Sequence, residues 1–254
     1  MSQVQLTGVH LTYTSTAKTT EALAGIDLTI GEGEPIALIG PSGCGKSTIL
    51  KVITGLRTPD RGQVLVAGEV LRSPRRQTAL ILQDYGLLPW KTVLDNAALG
   101  LTIAGVARGE ARQRARVALA TVGLADFERA YPAELSGGMA QRLAIARAMA
   151  VDADLLLMDE PLSALDSLTR EDMQNTLLDL WRERGHAQVL VTHSIEEAAL
   201  LGRRIVIMTP RPGRIHAIVE NPGMGSRGYR SSAEYFAVCA RLRELLVEEG
   251  ALAR

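Results

Sequence analysis

An uninterrupted apolar run at residues 36–39 leads directly into Gly40-Pro41-Ser42-Gly43-Cys44-Gly45-Lys46-Ser47-Thr48 and then into a stretch of helical character. A short strand with no polar position must be covered on both faces, which favours a largely parallel sheet flanked by helices. The glycines let consecutive backbone N–H groups turn inward, and the start of the next helix adds the positive end of its dipole. Strand, loop and helix together therefore make a cradle for phosphate groups. The pattern G-x-x-x-x-G-K-[ST] in this strand-to-helix context is far more restrictive than a glycine-rich turn before an ordinary helix. It places Lys46 for the β- and γ-phosphates of a nucleotide and the Ser47 hydroxyl for Mg²⁺.

The same short apolar signature recurs at residues 79–82, 155–158, 189–191 and 205–208, with helix-length segments between several of the runs. The pattern predicts an α/β core of the P-loop NTPase kind with a mostly parallel sheet. Earlier, Val4, Leu6 and Val9, and then Ile26, Leu28 and Ile30, alternate with polar residues, so an N-terminal antiparallel β edge is expected. From about 89 to 150 the strand signal is lost, and Ala111, Ala115, Ala118 and Leu119 recur at helical spacing. The expected organisation is a domain over 1–220, its α/β core formed by 1–88 and 151–220 around an inserted helical subdomain at about 89–150. A C-terminal loop and helix follow at 221–254. In that tail a glycine-rich loop at 221–228 precedes Ser231-x-x-Glu234, read as a capping box, and an amphipathic stretch ending near Glu249. The helix reads either as a packing element or as a regulatory contact.

A chain of 254 residues that is 46% apolar can bury a substantial core, which excludes the disordered, collagenous and disulfide-stapled classes. Its 28 basic and 28 acidic residues cancel, whereas a general nucleic-acid coat needs a surplus of positive charge; no nucleic-acid partner is expected. Cys44 and Cys239 form no C-x-x-C pair and suggest neither a zinc site nor a disulfide framework. The opening residues lack the charged leader and apolar stretch of a secretory signal, and no window approaches the ~18 uncharged apolar residues of a membrane span. A cytosolic chain is expected, with room for a membrane-embedded partner.

Two further segments carry chemistry. Residues 155–158 run into Asp159 and Glu160, and in a protein with a phosphate loop such a strand supplies the magnesium-side carboxylate and a candidate base. Neighbouring strand residues point to opposite faces, so the two acids take different parts: Asp159 serves Mg²⁺ through water, and Glu160 polarises the attacking water. Leu135-Ser136-Gly137-Gly138-Met139 precedes a long helical stretch at 140–150 and offers a second anion site made of a serine hydroxyl, glycine amides and a helix N-terminus. Standing alone, that string is a capped helix start. Its place some 20 residues before the Asp-Glu strand makes it specific.

Taken in order, the phosphate loop, Gln83, residues 135–139, Asp159-Glu160, Ser163-Ala164-Leu165-Asp166 and His193 resemble the ATPase subunit of ATP-binding cassette (ABC) transporters over about residues 4–214. The resemblance implies ATP and Mg²⁺ as cofactors, with the phosphates held by the loop from Gly40 through Thr48. Tyr13 matches the aromatic that stacks on adenine, and Gln83 the residue linking the magnesium site to the helical lobe. Ser47, Gln83 and Asp159 are then the metal-side set, and Glu160, Gln83 and His193 the catalytic set, with His193 approaching the γ-phosphate. Ser136, Gly137 and Gly138 match the signature that closes on the ATP of a partner subunit, and Asp166 ends the loop that crosses between subunits. Met139 stands where the family pattern usually has glutamine, and Ser194 where an aspartate is common. Cys44 reads as a small filler or, in the positive field of the loop, as a redox-sensitive thiolate.

A signature on the helical lobe is too far from the phosphate loop of its own chain to share a nucleotide, so two copies in head-to-tail arrangement are expected to trap two ATPs. Closure on ATP and opening after hydrolysis form a mechanical stroke. Residues 83–90 carry Leu87, Leu88 and Trp90, which read as a dock for a partner helix or as packing of the lobe junction. The resemblance implies integral membrane permease subunits, a peripheral position on the cytoplasmic face of the inner membrane, and an extracytoplasmic solute-binding protein acting indirectly. Leu88-Pro89-Trp90 and Pro210-Arg211-Pro212-Gly213-Arg214-Ile215 are similar to the nitrate, sulfonate and taurine branch of importer ATPases. Nitrate, sulfonates, taurine, bicarbonate and pyrimidine-like vitamin precursors stay open as the solute. The alternative is a non-transport ABC-type ATPase, in DNA repair or as a regulatory nucleotide-binding module. The lack of heptad runs between Gly40 and His193 opposes the first, and retention of Glu160 and His193 opposes the second.

Overall fold

The computed structural model describes residues 2–15 and 19–248. In chain order the regular elements begin with β1 (Ser2–Thr14), β2 (Thr19–Gly31), β3 (Pro35–Ile39), α1 (Lys46–Ile53), β4 (Arg61–Val66), β5 (Glu69–Val70), β6 (Thr78–Ile81), α2 (Val93–Ala97), α3 (Leu99–Ile103) and α4 (Arg108–Thr121). They continue with α5 (Gly137–Met149), β7 (Leu155–Asp159), α6 (Ser167–Arg184), β8 (Ala187–Val191), α7 (Ile195–Leu201), β9 (Arg204–Met208), β10 (Ile215–Glu220) and α8 (Ala233–Glu248). They fall into two compact units, Met1–Arg75 with Trp181–Arg254, and Arg76–Leu180.

The first unit contains the antiparallel sheet expected at the N-terminus, in the order β2-β1-β4-β5. Val4 and Leu6 share one parity and Val9 and Leu11 the other, yet all four are buried. A register shift between Leu6 and Val9, at Gly8 with φ 53°, reconciles them: one extra residue returns the later side chains to the inner face. In the other sheet of this unit, in the order β10-β9-β3-β8, β3 runs parallel to β8 and β9. β10 closes its edge antiparallel to β9. Every residue of β3 and β8 is buried, the reason those strands read as continuous apolar runs, whereas the edge strand β10 alternates half-buried and exposed positions.

After β10 the chain turns on Asn221, which is fully buried. Its Nδ2 donates to Ala199 O and Gly202 O, each at 2.7 Å, and its Oδ1 accepts from the Tyr229 hydroxyl. Burial pushes the Tyr229 phenol up to about 12, so it remains the donor in that bond. Helix α8 then docks on α7 through Tyr235, whose hydroxyl donates to Glu196 O at 3.4 Å and whose ring meets Tyr229 edge-on at 5.6 Å. The capping residue of α8 is Ser232 rather than Ser231: residues Tyr229–Ser231 are taken up in a 3₁₀ turn, and Ser232 Oγ accepts from the Tyr235 amide at 3.1 Å. Glu234 therefore sits one position too early to complete a capping box and contributes its charge to the first turn instead. The end of this helix expected near Glu249 lies outside the described residues.

The second unit pairs β6 with β7 in parallel and adds helices α2 to α5. Ala111, Ala115, Ala118 and Leu119, whose spacing predicts a helix, are the buried face of α4. Among the described residues no helix is long and apolar enough to cross a membrane.

His186, between α6 and β8, is 6% exposed, and neither ring nitrogen has a hydrogen-bond partner among the described residues. Burial, helped by the Arg184 charge, lowers its pKa to about 4 from 6.5, so the folded chain holds it neutral. The unfolded chain binds a proton there below pH 6.5 that the folded chain refuses. The contribution is therefore complete above that pH and is lost as pH falls towards 4. Urea midpoints measured at pH 7 and pH 5 are expected to differ less for His186→Leu than for the wild type; equal differences would show that His186 does not titrate this way.

Candidate functional site

In the first unit, β3 ends where the chain turns through residues 40–45 and enters α1. Gly45 occupies the helix start with φ 108°, and a Cβ there would stand 2.7 Å from Leu23 Cδ2 and 2.9 Å from Ala22 O, so only glycine fits. The cap residue Gly45 has no side chain to cap α1, and the first turn of the helix contains no acid, so the helix itself does not offset its positive end. Lys46 is 7% exposed and its Nζ donates to Gly40 O at 2.8 Å and Pro41 O at 3.0 Å, with Cys44 Sγ at 3.6 Å. Its charge is thus concentrated at the mouth of the loop. Cys44 is fully buried, which suits the filler reading of its small side chain.

Tyr13, near the end of β1, lies with its hydroxyl 3.5 Å from Thr48 Oγ1 and with the Arg57 guanidinium 5.6 Å from its ring centroid. His193 is exposed just beyond β8. Because Leu38 and Val191 are register partners on adjacent parallel strands, Gly40 and His193 leave the same edge of the sheet, where ligands of open α/β sheets bind. The turn that presents His193 is tightly held: Ser194 N donates to Thr192 Oγ1 at 3.1 Å and Thr192 Oγ1 donates to Glu197 Oε2 at 2.6 Å. Ser194 caps α7 by accepting from the Glu197 amide at 3.1 Å, the capping task that an aspartate at this position also performs.

In the second unit, β7 is buried throughout and ends on Asp159, itself 8% exposed. Glu160 is no longer part of the strand: it adopts φ 49°, a left-handed conformation that a glutamate takes only under constraint. The constraint is visible. Its carbonyl accepts from Gln141 Nε2 at 3.2 Å and from Ser163 Oγ at 3.1 Å, while Gln83 Nε2 donates to its carboxylate at 3.4 Å. The backbone twist at Glu160 gives the two acids different local settings: Asp159 ends the buried strand and Glu160 opens the turn after it. Gln141 is 1% exposed and also accepts from the Ala164 amide at 3.0 Å, so a single side chain ties α5 to both ends of the 160–164 turn.

Ser136 caps α5 by accepting from the Met139 amide at 3.3 Å. Met139 meets its local bonding requirement through the backbone, where side-chain chemistry is immaterial. Gly138 faces Leu165 so closely that a Cβ would stand 3.3 Å from its Cδ2. Asp166, exposed, caps α6: the Thr169 amide donates to its Oδ1 at 3.1 Å and holds the carboxyl below the usual carboxylate range. The segment after Gln83 is fastened by Arg147 of α5, whose Nη1 donates to Gly86 O and Nη2 to Tyr85 O, both at 2.6 Å. Burial lowers the pKa of this arginine, opposed by the Asp84 charge. Neither Gln141 nor Arg147 belongs to the sequence-derived set of site residues. The usable signal is a fully polar amide inside a helix that is otherwise apolar nearly all round; nothing separates Arg147 from the other arginines of this lobe.

In the first unit, a glycine-rich loop that runs from a buried parallel strand into a helix start, with an imidazole leaving the same sheet edge, is the arrangement of the P-loop class of nucleotide-binding domains. Comparison with known proteins narrows the class. The ABC transporter family profile matches residues 23–163. The chain is 41% identical over 256 residues to the taurine import ATP-binding protein TauB of Pseudomonas aeruginosa UCBPP-PA14, covering 98% of this chain and 96% of that protein. It is 45% identical over 235 residues to TauB of Chromobacterium violaceum, covering 90% and 88%. Among solved structures, a dimeric post-hydrolysis state of the ATP-binding cassette MJ0796 bound to ADP and Pi superposes with a TM-score of 0.79 at 34% identity, covering 85% of this chain and 98% of that one. The chain belongs to the ABC transporter family, and it is an ATP-binding, ATP-hydrolysing member.

Proposed function

We propose that this chain is the ATPase subunit of an importer for taurine or a closely related small sulfonate, working as a head-to-tail homodimer beneath separate permease subunits on the cytoplasmic face of the inner membrane. The observation that carries the ATPase half is the glycine-rich loop that enters α1 at Gly45, with no acid in the first turn of that helix. The solute class is supported by the relatives named for taurine import that align over nearly the whole chain. The dimer is supported by the dimeric assembly of the cassette it resembles.

The roles follow from chemistry. The amides of residues 40–48 and Lys46 bind the phosphates, and Tyr13 stacks on adenine. Ser136, Gly137 and Gly138 close on the nucleotide of the second copy, with Asp166 at the crossing loop. Glu160 orients and deprotonates the attacking water, Gln83 steers its carboxylate, and His193 donates to the γ-phosphate. No cluster of three or more His, Cys, Asp or Glu among the described residues could cage a metal. Ser47 of the first unit and Gln83 and Asp159 of the second each carry a hard oxygen donor of the kind Mg²⁺ takes alongside nucleotide phosphates, so by their chemistry these residues fit an ion that arrives with ATP. Bound there, Mg²⁺ would neutralise charge on the β- and γ-oxygens.

A surface for permease helices is supported in the second unit. Asn96 gathers the loop before it by accepting from Leu88 N at 2.8 Å and donating to Leu88 O, Lys91 O and Thr92 O, which leaves Trp90 71% exposed. A cavity of about 280 Å³, walled mainly by apolar side chains such as Leu80, Leu99, Ile103 and Val151, also has Arg76 and Arg147 in its lining. Labelled taurine uptake tests the proposal, using cells that keep their taurine permease and binding protein, lack their own taurine ATPase, and are supplied with this chain. Uptake that requires Lys46 is the expected result. Uptake of nitrate but not taurine would overturn the solute, and purification with nucleic acid in place of a multi-pass protein would overturn the transporter.

A further inference from the structure

Arg211 has no part in the roles assigned above. It lies on the turn between β9 and β10, and that turn is held from several sides. Thr209 N donates to Arg214 O at 3.0 Å, and Arg214 N donates to Thr209 Oγ1 at 3.1 Å. Gly213 is latched to β2: its N–H donates to Ala22 O and its carbonyl accepts from Ala24 N, both at 3.0 Å, making a bridge with Leu23. Exposed at the tip of this fixed turn, Arg211 reaches the phosphate loop, where its Nε donates to Gly43 O at 3.1 Å. The approach is close. A Cβ on Gly43, whose φ is 75°, would stand 2.6 Å from Arg211 Nη2, and one on Gly213 would stand 2.0 Å from Cys44 O. Two consecutive residues of the phosphate loop thus rest against residues 211–213.

In a trans peptide the carbonyl and the following N–H point in opposite directions. A cation bonded to the Gly43 carbonyl therefore holds the Cys44 N–H turned the other way, into the loop, where it donates to Pro41 O at 3.3 Å and is positioned to be shared with a phosphate. Inward amides are what a phosphate cradle uses. Rotating this peptide plane would turn a donor away from the ligand and aim a carbonyl dipole at it.

We infer that Arg211 is a positioning residue for ATP: from the β9–β10 turn it holds the Gly43–Cys44 peptide plane in the phosphate-binding orientation and so sets nucleotide affinity. The inference rests on the phosphate-binding role proposed for residues 40–48. It predicts a selective effect, on ATP affinity and KM and not on kcat, because Arg211 meets the outer side of the loop.

The test is equilibrium binding of a fluorescent ATP analogue and steady-state ATP hydrolysis by the purified full-length chain. Arg211→Ala is expected to raise Kd and KM roughly three- to tenfold, the range for loss of one exposed charge-assisted hydrogen bond. Arg211→Met, which keeps the aliphatic stem and loses donor and charge, is expected to show the same rise with an unchanged melting temperature, so the test survives if the alanine variant folds poorly. Arg211→Lys should recover part of the affinity. Arg214→Ala, which removes an exposed charge from the same turn, should leave Kd unchanged. Wild-type Kd and KM in Arg211→Met would overturn the inference, as would equal losses in the Arg211 and Arg214 variants, which would indicate a general charge effect. Lys46→Ala separates the two levels: if it retains ATP affinity the phosphate-loop assignment fails, and if it loses affinity while Arg211→Met does not, only the role of Arg211 fails.

Discussion

Glu160→Gln is expected to give a chain that binds ATP, dimerises on it, and turns it over at least ~100-fold more slowly than the wild type, the usual contribution of a positioned general base. The substitution is suited to the question because the backbone that positions residue 160 does not depend on its carboxylate. Its carbonyl is held by Gln141 Nε2 and Ser163 Oγ, and both bonds survive when the side chain becomes an amide. The Gln83 side chain, now bonded to Glu160 Oε2, can equally donate to the carbonyl oxygen of a glutamine. Shape and strain are therefore retained, while the basic oxygen and one negative charge are removed. Loss of that charge lowers repulsion with the γ-phosphate, so the ATP-bound dimer should accumulate. Phosphate release and light scattering on a sizing column, each with and without ATP, read the two halves of the outcome. Wild-type turnover would remove Glu160 from the role of base.

Lys46→Ala is expected to abolish measurable ATP binding, with a loss of at least ~100-fold in affinity, since it removes a partly desolvated ammonium proposed to pair with phosphate oxygens. The side chain is 7% exposed and its Nζ also bonds Gly40 O and Pro41 O, so alanine both deletes the charge and frees the first turn of the loop. Thermal unfolding in the absence of nucleotide controls for loop collapse: a small shift in the midpoint with no nucleotide-induced stabilisation is the expected pair of results. Retained stabilisation by ATP would place the phosphates elsewhere. The contrast with Arg211 is informative, because the lysine is proposed to touch the ligand and the arginine to act only through Gly43.

Parts of this protein can be read from residue order because their causes are local. Residues 36–39 have no polar position and become β3, buried on both faces. The glycines and Lys46 that follow can do little else than turn and open a helix. Ser136 is a helix cap by its chemistry and its place before an Ala- and Leu-rich stretch, and the structure uses it that way. Misreadings arise where two local solutions compete. Ser231 and Ser232 are equally good capping residues; the 3₁₀ turn that follows Gly228 consumes the first, and with it the capping box.

Residue types at set spacings thus sufficed for the α/β class, for the glycine-rich loop that opens α1 and for the serine cap of α5, each being a short motif whose neighbours in space are its neighbours in the chain. Folding in three dimensions supplied the rest. The left-handed twist of Glu160 depends on Gln141, 19 residues earlier in the chain. The loop after Gln83 depends on Arg147, 61 residues from Gly86, and the phosphate loop is braced by Arg211, 168 residues from Gly43. In each case a long side chain satisfies a backbone carbonyl that no regular element serves. Such carbonyls arise only where turns are packed against other elements, so no periodicity or spacing in the chain announces which arginine or glutamine will meet them.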